Sequence, residues 1–197
     1  IIFDGDVCQW DLPGFTALAH RSTVDIALTH GVFCLDLPDP SGAHVPTNPK
    51  CRRFTHKPCL AKMRGFGALL NEEQEAFTDS TFLFDSSVAA KLLAWWDTEC
   101  GGVPPPCELD AYGDMLQALG PEADGEYLGR GDGIVRPTSK TDDALGYYRR
   151  SLFEALRHVP LNVAFPPASR FWHIGTIPEI LDHFCYRTSF LLEAAGA

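Results

Sequence analysis

In "IIFDGD", residues 1–6, two carboxylates stand two positions apart at the end of an apolar run. If the run is a strand, Asp4 and Asp6 share one face of it. They would lie at its carboxyl end, where open α/β sheets bind ligands. Such a pair suits a hard cation held by one or two carboxylates and completed by substrate phosphates. It suits equally two strand-end acids in a turn, with Gly5 supplying the bend. "THKP" sets Lys57 directly before Pro58, where a lysine is either a point-charge clamp for a phosphate or an ordinary surface cation.

"CELDAYGDMLQALGP", residues 107–121, poses a sharper question. The prolines at 104–106 stop what precedes it, acids fill its first turn, and Gly120–Pro121 end it, so the pattern predicts a helix. At about 100° per residue, Leu109, Tyr112, Met115, Leu116 and Leu119 form one apolar stripe, with Asp110, Asp114 and Gln117 on the opposite, solvent side. Glu108 projects with the stripe. An inward carboxylate needs hydrogen-bond partners, a cation or a raised pKa. It is either a helix-start residue, worth about 0.3–1 kcal/mol against the helix dipole, or an acceptor for substrate hydroxyls in a cleft.

"RFWHIGTIPEIL", residues 170–181, leads from a predicted strand through Gly175 into a helix. Thr176 is its N-cap, Pro178 lies in the first turn and Glu179 completes a capping box. That N-terminus is an anion site by type. Three roles stay open for His173: coordination, hydrogen bonding, or packing beside Trp172.

These residues need elements to position them. "FTALAH" (15–20), "HGVFCLDL" (30–37), "CRRFTHKP" (51–58), "DSTFLFD" (79–85), "LNVAFP" and "RFWHIG" (170–175) read as strands. "TVDIALT" reads as a short helix or turn, and residues 38–50 as a Pro/Gly/Asn-rich loop. Helices are predicted near 86–98, with Asp85 or Ser86 as N-cap, and over 142–159; residues 121–141 read as an exposed excursion. Short apolar strands alternating with helices predict an α/β layered domain with a mixed, mostly parallel sheet. No internal repeat is visible.

With 197 residues, 45% of them hydrophobic, the chain is long enough to bury one proper core. A formal net charge of -10 argues against non-specific binding to nucleic acid or anionic membranes. A phosphate-bearing small ligand is still allowed, because one lysine in a cleft can outweigh the total. The seven cysteines show no C-x-x-C spacing. A zinc site from Cys51, Cys59, Cys100 and Cys107 is weakly signalled; scattered reduced thiols in a cytoplasmic protein fit better. The sequence shows neither a transmembrane run nor a signal-peptide pattern. It begins on a buried-strand pattern with Ile1, which reads as a fragment lacking an N-terminal portion. G-x-S-x-G, H-E-x-x-H and a complete P-loop are all missing from it.

Taken in order, "THGVFCLD", "CRRFTHKPCLAKM", "FTDSTFLFD", "CELDAYGDMLQALGP" and "SRFWHIGTIPEILDHF" resemble the fucose-1-phosphate guanylyltransferase (GDP-L-fucose pyrophosphorylase) family, from "DVCQW" to "LDHF". The resemblance implies a Rossmann-like nucleotidyltransferase sandwich, followed in the family by a left-handed β-helix. It implies a reaction of GTP with L-fucose 1-phosphate that gives GDP-L-fucose and pyrophosphate with Mg²⁺. On this resemblance residues 1–197 are a partial catalytic domain, the sugar-phosphate-binding portion. The Gly-rich nucleotide loop is expected upstream of Ile1 and the β-helix downstream of Ala197.

Carried onto these positions, the resemblance makes Asp6 the strand-end aspartate that holds Mg²⁺. Gly31 becomes a backbone position near the sugar nucleotide, and Lys57 the contact to the sugar phosphate. Asp79 and Ser80 lie on the strand that passes the sugar, and Glu108 accepts its hydroxyls. His173 stands where most of the wider superfamily has a metal-binding aspartate; with Gly175 it is assigned to substrate binding. The chemistry asks for nothing covalent from the protein, only alignment of two polyanions and relief of their repulsion. Two rivals are the pyrophosphorylase part of a bifunctional fucokinase and a non-catalytic sugar-nucleotide module.

Overall fold

The structure, a computed structural model, describes residues 9–39, 41–129, 142–167, 172, 174, 176–186 and 190–192. Six strands are formed: β1 (Phe15–Thr23), β2 (Gly31–Asp36), β3 (Lys50–His56), β4 (Leu69–Leu70), β5 (Glu75–Phe84) and β6 (Leu161–Ala164). The α-helices are α1 (Val24–Ala27), α2 (Leu60–Gly65), α3 (Ser86–Glu99), α4 (Asp142–Leu156) and α5 (Ile177–Leu181). The strands expected at 1–6 and 170–175 lie wholly or largely outside the described residues.

The mixed α/β class holds, but the sheet is mostly antiparallel rather than mostly parallel. Pairings β1–β5, β2–β5, β2–β3, β3–β6 and β4–β5 are antiparallel, and β1–β6 is parallel. The connections explain this correction. A parallel neighbour needs a crossover of about a dozen residues or more, usually helical. Between the paired β2 and β3 no helix intervenes among the described residues, and β4 reaches β5 through a tight turn at Asn71–Gln74. The order β1-β6-β3-β2-β5, with β5 pairing back onto β1, closes the sheet into a barrel.

Period-2 alternation sorts the core into two sides. Phe33 and Leu35 of β2 join Phe15, Phe54, Phe77 and Val163 in the main cluster. Val32 and Cys34, of opposite parity, pack with Met63 of α2 and Ala68 in a second cluster. β2 is therefore buried on both faces and reads as a continuous apolar run. Asp85 caps α3 as expected, its carboxylate accepting from the Val88 N–H at 2.9 Å. A bond from Trp95 Nε1 to Ser151 Oγ (2.9 Å) ties α3 to α4. Among the described residues no helix is long and apolar enough to cross a membrane.

Candidate active site

A cleft of about 530 Å³ opens where β2 begins, β3 ends and β5 bends. Gly31, Lys57 and the adjacent pair Asp79 and Ser80, from three separate stretches of sequence, all line it. Gly31 must be glycine for steric reasons: a Cβ there would run into the Phe54 ring and the Asp79 carboxylate. Its N–H donates instead to Asp79 Oδ1 at 2.9 Å. Asp79 is only 7% exposed, and burial pushes its carboxyl above the usual carboxylate range.

Adjacent strand residues normally point to opposite faces. Here a bulge lets both Asp79 and Ser80 reach the cleft. Along β1 and β5, Leu18 is opposite Thr81 while Ala19 is opposite Asp79, so Ser80 is the extra residue. Bulges of this kind re-aim side chains beside active sites. Ser80 Oγ lies 2.8 Å from His20 Nε2, and burial lowers the His20 pKa to about 4, so that ring is neutral at pH 7.

Lys57 has φ 44°, in the left-handed region. That conformation is uncommon for any residue but glycine, and a residue before proline is normally held extended. The turn is fixed by its N–H, which donates to His30 O at 2.9 Å. Strain of this kind costs on the order of 1–3 kcal/mol and concentrates at ligand-binding positions. It delivers an exposed ammonium to the cleft rim.

The segment 107–121 departs from the expected α-helix. Glu108 lies before any helical turn and is exposed, so it neither projects inward nor lines the cleft. Asp110 is the N-cap, accepting from the Tyr112 N–H at 2.8 Å. A π-helical turn then covers Ala111–Met115 and a 3₁₀ turn Leu116–Ala118. The wider i→i+5 turn moves side chains off their 100° positions. The polar side expected to face solvent is correspondingly reassigned. Asp114 is 1% exposed and ion-paired with Arg149 of α4 at 2.6 Å, and Asp110 lines the cleft. The stripe itself holds: Leu116 and Leu119 are fully buried, with Leu109, Tyr112 and Met115 packed against the core.

The sequence model of the fucose pyrophosphorylase domain matches residues 2–195, nearly the whole chain. The chain belongs to the fucose pyrophosphorylase family. It is 37% identical over 201 residues to the mouse (Mus musculus) protein named fucose-1-phosphate guanylyltransferase, a match covering 92% of this chain and 33% of the mouse protein. It is also 37% identical over 204 residues to the human (Homo sapiens) protein of that name, covering 94% and 32%. The chain thus spans about a third of the length of these curated relatives.

Within this fucose pyrophosphorylase domain, Asp4, Asp6, His173 and Gly175 lie outside the described residues. Among the described residues no group of three or more His, Cys, Asp or Glu side chains is placed to hold a metal ion, including the cysteines weighed for zinc. Thr176 and Glu179 form the expected capping box, and Glu179 also lines the cleft. Its carboxylate accepts from the Thr176 N–H at 2.9 Å, so the five-residue α5 already carries an anion of its own at the end expected to bind one.

Sequence reasoning missed other cleft residues of this family member, among them His56, Asp110 and Tyr112. The His56 side chain is 9% exposed, neither ring nitrogen has a hydrogen-bond partner among the described residues, and Nε2 is 3.7 Å from Asp110 Oδ2. Burial lowers its pKa, favouring the neutral ring. Tyr112 OH donates to Ser80 O at 3.3 Å, joining the π turn to the bulge. The helical pattern put Asp110 on the solvent side; the one signal that could have marked it is that Asp is a preferred N-cap type.

Proposed function

We propose that this chain is the sugar-phosphate-binding portion of a guanylyltransferase that joins GTP and L-fucose 1-phosphate to give GDP-L-fucose and pyrophosphate. Support comes from the family membership and, above all, from Lys57: a strained, exposed cation set on the rim of a cleft whose other charged walls include Asp79 and Asp110. A cleft whose described lining has one lysine and several acceptors matches a ligand with one phosphate and several hydroxyls. In this reading Lys57 binds the phosphate of the sugar phosphate, and Asp110 takes the hydroxyl-accepting role first assigned to Glu108. Asp79, Ser80 and the Gly31 backbone form the floor.

The sugar phosphate oxygen attacks the α-phosphorus of the nucleotide in line; that P–O bond forms as the bond to the β-phosphate bridging oxygen breaks, and pyrophosphate leaves. The protein's part is alignment and charge relief. Mg²⁺ would supply neutralisation of the two polyanions, and Asp6 is its proposed ligand together with substrate phosphates. The closed sheet would then be one part of a larger Rossmann-like nucleotidyltransferase sandwich that also contributes the nucleotide loop. The spread of cysteines without metal spacing suits a cytoplasmic enzyme.

The test is Lys57→Met in the full-length enzyme, with each substrate titrated separately by calorimetry. Loss of a charge-assisted contact should weaken L-fucose 1-phosphate by about 1.5–3 kcal/mol and leave GTP unchanged. Equal weakening of both substrates would remove Lys57 from the sugar-phosphate site.

A further inference from the structure

We infer that Arg149, on α4, is a positioning residue for the cleft, acting through Asp114 to fix where Asp110 presents its carboxylate. The inference rests on the sugar-phosphate reading of that cleft. Its basis is a continuous chain of short contacts. Arg149 Nε donates to Asp114 Oδ1 at 2.6 Å, with side-chain exposures of 5% and 1%. The other Asp114 oxygen, Oδ2, accepts from the Asp110 backbone N–H at 2.7 Å. In return the Asp114 N–H donates to Asp110 O, also at 2.7 Å. These two reciprocal bonds lock the backbone of Asp110 at the start of the π turn. Tyr127 OH, donating to Asp114 O at 3.3 Å, braces the same residue.

The lock leaves the Asp110 side chain with divided duties. Oδ1 is used by the Tyr112 N–H, whereas Oδ2 faces His56 Nε2 at 3.7 Å, too far for a hydrogen bond. His56 is itself held in place: its backbone N–H donates to Gln117 Oε1 at 3.2 Å, and Gln117 Nε2 donates to Gly113 O at 2.6 Å. A carboxylate oxygen and, beside it, an imidazole with no hydrogen-bond partner among the described residues suit a hydroxyl group on this cleft wall, since a hydroxyl can both donate and accept.

Stability alone gives a weak reason for the Asp114–Arg149 pair, because buried ion pairs are often replaceable by apolar side chains without loss. A π turn is likewise rare and is frequent at functional sites. Both are accounted for if the placement of Asp110 is what they maintain. Arg149 is not among the described residues that line the cleft, and the contacts described lead from it to the cleft wall through Asp114 and Asp110.

The experiment is a kinetic double-mutant cycle in the full-length enzyme, using L-fucose 1-phosphate and GTP. Arg149→Met should raise KM for the sugar phosphate by about tenfold or more, with KM for GTP changed less than about twofold. In an Asp110→Ala background, adding Arg149→Met should cost less than about a further twofold. A merely structural arginine would give losses that multiply, or would alter both KM values together; either result overturns the inference. Should Arg149→Met fail to fold, Asp114→Asn/Arg149→Met removes both charges of the pair at once and is read by the same cycle. If Lys57→Met and Asp110→Ala both leave the sugar KM unchanged, the cleft reading falls and the inference with it. If those two raise it and Arg149→Met does not, only the inference falls.

Discussion

The N–H of Gly31 donates to the carboxylate of Asp79 across 2.9 Å, joining the start of β2 to the middle of β5 at the floor of the cleft. The contact exists because residue 31 has no side chain: a Cβ would collide with the Phe54 ring and with Asp79. Gly31→Ala must therefore push Phe54, itself 3% exposed, off its packing against Phe33 at 5.1 Å. Overpacking of this kind costs about 1–3 kcal/mol. Urea unfolding of the full-length protein should show that loss, together with weaker sugar-phosphate binding. A variant as stable as the parent would mean that the cleft floor is far softer than its packing implies.

Asp79→Asn separates stability from function. Burial raises the Asp79 carboxyl above its ordinary 3.8, so the folded protein binds that proton more tightly than the unfolded chain does. The associated stabilisation is full below 3.8 and is lost as pH rises through the raised folded value. Asparagine keeps an acceptor for the Gly31 N–H and has no charge to bury. Relative to the parent, Asp79→Asn should gain stability with rising pH and then level off, while losing affinity for the sugar phosphate. Urea midpoints from about pH 4 to pH 8 measure the first effect. A constant gap between the two proteins across that range would contradict it.

Asp85 shows the opposite sign. Ser87 Oγ donates to its carboxylate at 2.6 Å, and the N–H groups of Val88 and Gly14 donate at 2.9 Å each, which holds its pKa down at about 2. Its contribution is present above the unfolded value of 3.8 and is lost as pH falls through about 2. Asp85→Ala should lower the melting temperature at neutral pH, and the difference should shrink as pH drops through that window. A melting-temperature difference independent of pH would show that the cap acts without its charge.

How much of this was legible depended on whether the signal was local. β1, β2, β3, α3 and α4 follow from apolar runs, alternation and the Asp85 cap, all within reach of a short window. The capping box at Thr176–Glu179 was readable from residue types alone. α2 was not, because its N-cap, Cys59, offers no side-chain hydrogen bond to mark the start. Barrel closure was hidden for a different reason. That β5 pairs with β1 is decided by contacts between residues 52–69 positions apart, such as Thr23 with Glu75 and Phe15 with Phe84, and no periodicity encodes that choice. The cleft shows the same division: Gly31, Lys57, Asp79 and Ser80 stand out by type and resemblance, while His56 and Asp110 matter only through what the fold sets beside them.

Glu108 and Asp110 provide the sharpest comparison. Extrapolating a helical period back to residue 107 aimed Glu108 inward, but the first turn starts only after Asp110. Glu108 is left exposed and outside the cleft lining, whereas Asp110 lies within it with Oδ2 toward His56. Glu108→Gln should therefore change stability by no more than about 0.5 kcal/mol, as for other surface substitutions, and leave kcat/KM for the sugar phosphate near the parent value. Asp110→Asn keeps an oxygen for the Tyr112 N–H, so the cap and the melt should survive. It loses the charged acceptor, and kcat/KM for the sugar phosphate should fall by about 1.5–3 kcal/mol in transition-state terms, with KM for GTP unchanged. Steady-state kinetics on both variants of the full-length enzyme decide between the two acids. A damaged Glu108→Gln beside a normal Asp110→Asn would return the hydroxyl-accepting role to Glu108 and require the 107–110 segment to fold onto the cleft when substrate binds.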